Sequence, residues 1–381
     1  MLEWKKLGDI CEIKGRIGFR GYTRDDQVNK GEGAISLSPG NIDNGSMNYD
    51  SCTYITWEKY EESPEIMVNV GDIILCKTAS VGKVARIHYL PQKATINPQL
   101  VLIKNIKTNP QYLFYVLGDN LFQAKIKGLA GVGSVPNVSQ AKLASIPIPI
   151  PSSVEQTRIV GILDTFTASV ENLKQQIAER RKQYEYYRDQ LLDLEGKEGV
   201  EMKTLGEIGE VCMCKRIMKE QTSEKGDVPF FKIGTFGGIA DAYISRKLYE
   251  EYKSKYSFPR KGEILLSASG TIGRKVVYNG EDAYFQDSNI VWISNDEKQV
   301  TNAFLYYVYS TIDWKVDGGT IKRLYNYNLK STIISVPSLQ EQSHIVSILD
   351  TFEASIANLE AQLKEREKQY EYYRNILLTF E

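Results

Sequence analysis

The chain has 381 residues, 42% of them hydrophobic, and its 47 basic and 48 acidic side chains leave a net charge of −1. That length accommodates two domains of roughly 150 residues with helical segments besides. No apolar run approaches the roughly 18–20 residues of a membrane span, and the opening MLEWKKLGDICEIK lacks the apolar stretch of a signal peptide, so no membrane role and a cytoplasmic location are expected.

The first globular segment, residues 1–151, opens on Lys5-Lys6-Leu7-Gly8-Asp9-Ile10. Its polar loop Ser36–Asn48 carries Asn41. Gly71–Tyr89 then reads as strand, turn, strand: Ile73-Ile74-Leu75, a turn holding Lys77, Thr78, Ser80 and Lys83, and Val84–Tyr89 with Arg86. From Ile73 to Val154 there are nine Lys or Arg and one acid, Asp119. So one-sided a stretch can attract phosphates although the whole chain is near neutral, and a solvated lysine-rich face explains the same residues. Asn41, Asn97, Gln99, Gln286 and Asn289 belong to the amide side chains able to make bidentate contacts to adenine.

At residues 152–195 the pattern becomes a long helix. Pro151 stops the preceding element and Ser152-x-x-Glu155 reads as a capping box. A 3-4 seam then runs through Ile159, Leu163, Phe166, Val170, Leu173, Ile177, Arg180, Tyr184, Tyr187, Leu191 and Leu194, a strict heptad that predicts a left-handed coiled coil. Arg180 sets register or snorkels to nearby glutamates, and in a full antiparallel overlap it faces the region of Ile356. Tyr186 projects off the seam, where a partner could use it. Gly196 suits the end of this helix.

The second globular segment, 196–337, repeats the landmarks of the first in order. Lys203-Thr204-Leu205-Gly206-Glu207-Ile208 opens it. Gly262-Glu263-Ile264-Leu265-Leu266, followed by Thr271-Ile272-Gly273-Arg274, matches Gly71-Asp72-Ile73-Ile74-Leu75 followed by Ser80-Val81-Gly82-Lys83. Candidate contacts are Ser267, Ser269, Thr271, Arg274 and Lys275 around the turn, and Lys232 and Thr235 in the loop Lys232–Asp241. Ordinary hairpin solubility accounts for such residues equally well. The final segment, 338–381, begins at Pro337 and Ser338-x-x-Glu341 and continues the seam as Ile345, Leu349, Phe352, Ile356, Leu359, Leu363, Arg366, Tyr370, Tyr373, Leu377 and Phe380. Glu155–Glu195 and Glu341–Glu381 are identical at 26 of 41 positions at a constant offset of 186. A period of that length marks duplicated domains rather than a solenoid. The expected fold is α+β: two globular domains separated by two long helices that form an antiparallel coiled coil, with a pseudo-two-fold internal repeat.

Charge partitions with this plan. Residues 1–154 carry 17 basic and 14 acidic side chains, and 196–340 carry 20 and 18; the helical segments carry 6 and 8, then 4 and 8. The cysteines, Cys11, Cys52, Cys76, Cys212 and Cys214, and the histidines, His88 and His344, do not assemble a Cys/His set at zinc spacing, so no metal site is expected. Cys212-Met213-Cys214 fits alternate strand positions better than a soft-metal site, and His88 reads as a strand histidine. There is no GxxxxGK[ST] loop, no GxGxxG after a strand, no Asn/Asp-Pro-Pro-aromatic stretch and no Pro-Asp followed by Glu-x-Lys. Together these absences favour a binding protein, with no catalytic residue assigned.

Two diverged segments that each open Lys-x-Leu-Gly-(Asp/Glu)-Ile, contain Gly-(Asp/Glu)-Ile-(Ile/Leu)-Leu with a later (Val/Ile)-Gly-(Lys/Arg), and end Pro-Ser-x-x-Glu-Gln before a long helix resemble the specificity subunit of a type I restriction-modification system, over the whole chain. The resemblance implies two target recognition domains, each reading half of a bipartite site in double-stranded DNA. It implies that the paired helices set the spacer and dock two adenine-N6 methyltransferase subunits, with ATP-dependent motor/nuclease subunits joining for restriction. S-adenosylmethionine, ATP and magnesium would then sit on those partners, with no cofactor on this chain. Two other readings stay open: the recognition subunit of a fused methyltransferase/nuclease system, and a coiled-coil scaffold with no DNA role.

Overall fold

The computed structural model describes residues 2–17, 21–131, 135–318 and 322–380; Glu381, where the repeat ends, lies outside them. The chain divides into two compact units, Met1–Lys174 with Gln362–Glu381, and Gln175–Ala361. Each unit therefore contains one globular segment, part of its own long helix and part of the other.

Both units are built on the same antiparallel four-stranded sheet. In the first its strands run Glu12–Lys14, Leu100–Lys104, Ile73–Cys76 and Val84–Arg86 across the sheet; in the second, Gly209–Cys212, Ile290–Asn295, Ile264–Ser267 and Lys275–Val277. Side chains of a strand alternate faces, and here both faces are covered. Ile73 and Leu75 pack into a core with Leu7, Tyr112 and Ile159, whereas Ile74 and Cys76 pack into another with Ile35 and Ile96. In the second unit Ile264 and Leu266 join Phe304 and Ile345, while Leu265 joins Trp292 and Phe230. Double burial explains why these strands are continuous apolar runs rather than alternating ones. A second sheet, four-stranded in the first unit and three-stranded in the second, holds a parallel pair in each, Ala34–Leu37 beside Ala94–Ile96 and Val228–Phe231 beside Tyr284–Phe285.

The repeated motifs now have physical reasons. Gly71 and Gly262 adopt φ of 96° and 92°, a region that favours glycine. The acidic residue after each accepts the backbone N–H three residues earlier, Asp72 from Asn69 at 2.9 Å and Glu263 from Arg260 at 2.7 Å. Gly82 and Gly273 also have positive φ, and a Cβ there would lie 2.1 Å from Gln123 and 2.6 Å from Trp314. The opening Lys-x-Leu-Gly segments begin in strands that pair with those feeding the long helices, Glu3–Lys6 with Pro147–Ile150 and Glu201–Thr204 with Ile333–Val336. The predicted second strand of the first hairpin is shorter than expected, ending at Arg86, so exposed His88 lies beyond it in a bend. Cys214, likewise, lies past the strand Gly209–Cys212 and is buried.

The long helices span Ser153–Leu192 and Leu339–Leu378. Ser152 and Ser338 accept the backbone N–H of Glu155 and Glu341. The Glu155 carboxylate closes no box; it binds Arg158 at 2.6 Å. The next residue does more. Gln156 and Gln342 are buried, and each amide nitrogen donates to the carbonyl of the helix-breaking proline, Pro151 or Pro337, at 2.9 Å. The Gln156 oxygen accepts from Thr108 and from the Asn109 N–H; the Gln342 oxygen accepts from the Thr301 N–H. Two turns along, Tyr115 donates to Asp164 and Tyr307 to Asp350, both at 2.5 Å.

Within each unit the two helices run antiparallel. In the first, Phe166 stacks on Tyr373 with centroids 5.1 Å apart; in the second, Phe352 stacks on Tyr187 at 5.4 Å. Arg181 pairs with Glu360 while Tyr184, one turn later, reaches back to Glu353. The seam residues Ile159, Leu163, Val170, Ile177, Ile345 and Leu349 are buried, and Phe166, Leu173, Tyr184, Phe352, Ile356, Leu359, Leu363 and Tyr370 are half-buried. Arg366 and Arg180 lie over the rings of Phe166 and Phe352, at 5.7 and 5.9 Å, one turn from the Val170 and Ile356 region expected for them. Tyr186 and Tyr372 stand out from the seam, 63% and 62% exposed.

Removing a buried amide leaves its former partners unpaired, at about 1–3 kcal/mol for each group so stranded. Gln156→Ala and Gln342→Ala are each expected to lower the calorimetric unfolding midpoint of the unit that contains them and to leave the other unit's transition in place.

Candidate nucleic-acid interface

Three separate segments of the first unit meet beyond the end of the strand Ile73–Cys76. The Lys77 N–H donates to the Gln99 carbonyl and the Lys77 carbonyl accepts from Val138, both at 2.9 Å, while the Ala79 N–H reaches Pro136. Asn97 joins through its N–H to Leu37. Of the predicted residues, Lys77, Thr78, Ser80, Lys83, Asn97 and Gln99 are thus brought to one end of the domain, and Ser80 and Lys83 are exposed. Thr78 donates through its hydroxyl to the Asn137 side-chain oxygen at 2.8 Å. The Asn97 amide is tied to Gln99, accepting from its N–H and donating to its side chain.

Two predicted residues of this unit do other work. Asn41 is 4% exposed; its side-chain oxygen accepts from the Ser38 N–H and hydroxyl, and its nitrogen donates to the carbonyls of Asn48 and Ser51. It organises its loop and has nothing left for a base. Arg86 lies at the opposite end of the hairpin from the turn and donates to Gln111 at 2.7 Å, which in turn binds Asp164 of the long helix. Its alternate position on the strand aims it at the helix junction.

The second unit assembles the same end from equivalent segments. The Ala268 N–H donates to the Asn289 carbonyl at 2.7 Å and its carbonyl accepts from Leu324 at 2.9 Å, the roles played by Lys77, Gln99 and Val138. Ser269 and Thr271 lie on this turn, and Ser269 donates to the Asn289 side-chain oxygen at 2.8 Å. Arg274 ties in the neighbouring loop by donating to the Phe236 carbonyl at 2.9 Å. Thr235 closes a turn by accepting the Lys232 N–H, and the Lys232 ammonium pairs with Asp241 at 2.8 Å.

Ser267 and Lys275 are corrections. Ser267 is 2% exposed, donating to the Thr271 carbonyl and accepting the Arg274 N–H, so it builds the turn from inside. The Lys275 ammonium donates to the Tyr306 carbonyl and the Ser310 hydroxyl and sits 3.6 Å from the Tyr306 ring centroid. It braces the hairpin against the helix Asn302–Val308. Burial pulls its pKa down to about 8, against a partial counterpull from Glu353.

Asn137 and Arg323 were not singled out from the sequence, although they lie 186 residues apart, the offset of the repeat. Each forms an antiparallel bridge with the turn, Thr78 with Asn137 and Ser269 with Arg323. Only that offset marked them, and their side chains differ. Among the described residues no group of three or more His, Cys, Asp or Glu could hold a metal ion, and no helix is long and apolar enough to cross a membrane.

A duplicated α+β domain, each copy ending in a long helix that pairs antiparallel with the other, defines a two-module recognition protein. The description "type I restriction modification DNA specificity domain" matches twice, over residues 1–180 and 197–368, and the chain belongs to that family of DNA-binding specificity subunits. It is 50% identical over 287 residues to a type I restriction enzyme specificity subunit of Haemophilus influenzae, covering 72% of this chain and 73% of that one. It is 34% identical over 274 residues to the EcoR124I/EcoR124II specificity subunit of Escherichia coli, covering 65% of each. The solved S subunit of a type I restriction-modification system from M. genitalium shares the fold, with a TM-score of 0.58 at 16% identity over 100% of this chain and 97% of that one.

Lys275 generates a pH test. Its folded-state pKa of about 8 lies below the ordinary 10.5, so between those values the unfolded chain binds more protons and stability rises with pH. The difference in melting temperature between wild type and Lys275→Met is expected to move in favour of wild type from pH 8 to 10. Taking the difference removes the opposing titration of buried thiols such as Cys214, whose pKa burial raises to about 12.

Proposed function

We propose that each globular segment, residues 1–151 and 196–337, is a target recognition domain reading one half of a bipartite DNA site, and that the helices of 152–195 and 338–381 set the unread spacer and dock two copies of an adenine-N6 methyltransferase subunit. The observation that carries this is the contrast between frame and tip. The helix anchors Gln156/Gln342 and Tyr115–Asp164/Tyr307–Asp350 are duplicated residue for residue. The hairpin ends keep the same backbone bonds but exchange side chains, Lys77 for Ala268, Gln99 for Asn289 and Asn137 for Arg323. A duplicated frame suits two copies of one partner; differing tips suit two different half-sites.

The chemistry of methyl transfer and of ATP-driven cleavage belongs, on this reading, to the partners, with S-adenosylmethionine, ATP and magnesium bound there. Motor/nuclease subunits complete the restriction complex.

Exchange of residues 1–151 for the corresponding segment of a diverged relative, followed by mapping of methylated adenines in the assembled complex, is expected to change one half of the motif and leave the other. A change in both halves, or in neither, contradicts the modular reading. Deleting one heptad from each helix is expected to change the spacer or abolish assembly while both half-site sequences stay the same. Binding to duplex DNA is expected to fall steeply with salt, because phosphate contacts release counterions; a coiled-coil scaffold without a DNA role shows no such binding.

A further inference from the structure

Asn289 is held unlike an ordinary surface amide. Its side-chain oxygen accepts from the Ser269 hydroxyl at 2.8 Å and from Arg323 Nη2 at 3.1 Å. The arginine is itself held in place, the same nitrogen lying 2.7 Å from the Ser288 carbonyl and 2.9 Å from the Ser288 hydroxyl, so that its two N–H groups are shared among three oxygens. Ser288 adopts φ 54°, an uncommon backbone conformation for a residue other than glycine, which the arginine bonds hold. An amide's oxygen and nitrogen are told apart only by their partners. Here one partner settles the matter, because a guanidinium has no acceptor. The oxygen must face Arg323, and the amide nitrogen, with two N–H groups and no partner among the described residues, is turned away.

We infer that Asn289 is a base-reading residue of the second recognition domain that acts only as a donor, with Ser269 and Arg323 as the residues that position it. The inference rests on the DNA-recognition reading of this domain. An unconstrained asparagine can donate and accept together, which suits the N6/N7 edge of adenine. With its oxygen already filled by two donors, Asn289 matches acceptors instead, and in the major groove these are guanine O6 and N7 or thymine O4; adenine N7 also accepts, but it lies beside an amino group that the filled oxygen cannot take. The first domain has a counterpart in kind: Thr78, at the place of Ser269, donates to the Asn137 side-chain oxygen at 2.8 Å. There the amide comes from the segment before the last helix rather than from the loop before the central strand. The hydroxyl is kept while the amide changes its origin, as two readers of different half-sites require.

The test is Asn289→Asp in the assembled complex with its methyltransferase partner, read by mapping methylated adenines. The aspartate keeps an oxygen for Ser269 and Arg323 and gains an ion pair with the arginine, so the domain stays folded. It replaces the outward donors by an acceptor. One position of the second half-site, guanine or thymine in the wild-type motif, is expected to lose its preference by about tenfold or more and to move toward cytosine or adenine, whose amino groups donate. The first half-site is the internal control. An unchanged motif, or a loss of methylation equal at all sequences, overturns the assignment. Arg323→Lys is expected to relax the same position without affecting binding to non-cognate duplex; full discrimination in that variant overturns the positioning role. Failure of the parent reading looks different, since the wild-type complex would then yield no split motif at all.

Discussion

Each globular core is closed by the end of the helix that belongs to the other half of the sequence. Leu378 is buried among Leu7, Tyr112 and Ile159, with Tyr370, Leu377 and Phe380 packed around it, while Leu194 fills the equivalent place among Leu205, Phe304 and Ile345. Burial of such side chains stabilises by about 1.5–3 kcal/mol each, and only an antiparallel return of the second helix brings Leu378 to residues numbered below 165. The fold-back is therefore part of both cores rather than an ornament on them. Stacking of Phe166 on Tyr373 and of Phe352 on Tyr187 states the same constraint in aromatic terms.

That constraint orders the rest. With the helix fixed to its domain by a buried glutamine and a tyrosine–aspartate bond, the hairpin beside it has a fixed attitude. Arg86 and Lys275 stand opposite Ile73 and Leu266, on the face of the hairpin that packs toward the helices, and are bonded there, while the turn gathers loops. The basic residues of the hairpins thus divide by the face of the strand on which they stand. Arg86 and Lys275, on the helix-side face, have their side chains engaged by the protein, whereas Lys83, at the turn, faces solvent. Charge counted along the sequence cannot make this distinction, because it weighs Lys275 and Lys83 equally.

Polar side chains divide by the same logic. Asn41 and Asn289 are both loop asparagines with hydrogen-bonded oxygens. In Asn41 the nitrogen also turns inward, to two backbone carbonyls, and the side chain becomes part of the loop. In Asn289 a serine hydroxyl and an arginine on a distant segment hold the oxygen and leave the nitrogen without a partner among the described residues. The difference between a structural amide and a reading amide lies in which of its two atoms the fold consumes.

Much was legible in the residues themselves. The heptad seam, the proline stops, the serine caps, the duplicated strand–turn–strand and the family resemblance all depend on local periodicity or on order along the chain, and local rules survive folding. The glycines that recur in the motifs mark positive φ, a property of the backbone at one position. What tertiary structure alone decided is the fate of each polar side chain, since that turns on which distant atom arrives beside it. Gln156 reads as a helix residue until Thr108 and Asn109 are seen against it. Ser267 and Lys275 read as turn donors until burial and Tyr306 claim them. Asn137 and Arg323 gave no sign beyond an offset of 186, because bridges between segments far apart in sequence, Thr78 to Asn137 and Ser269 to Arg323, leave no local pattern behind.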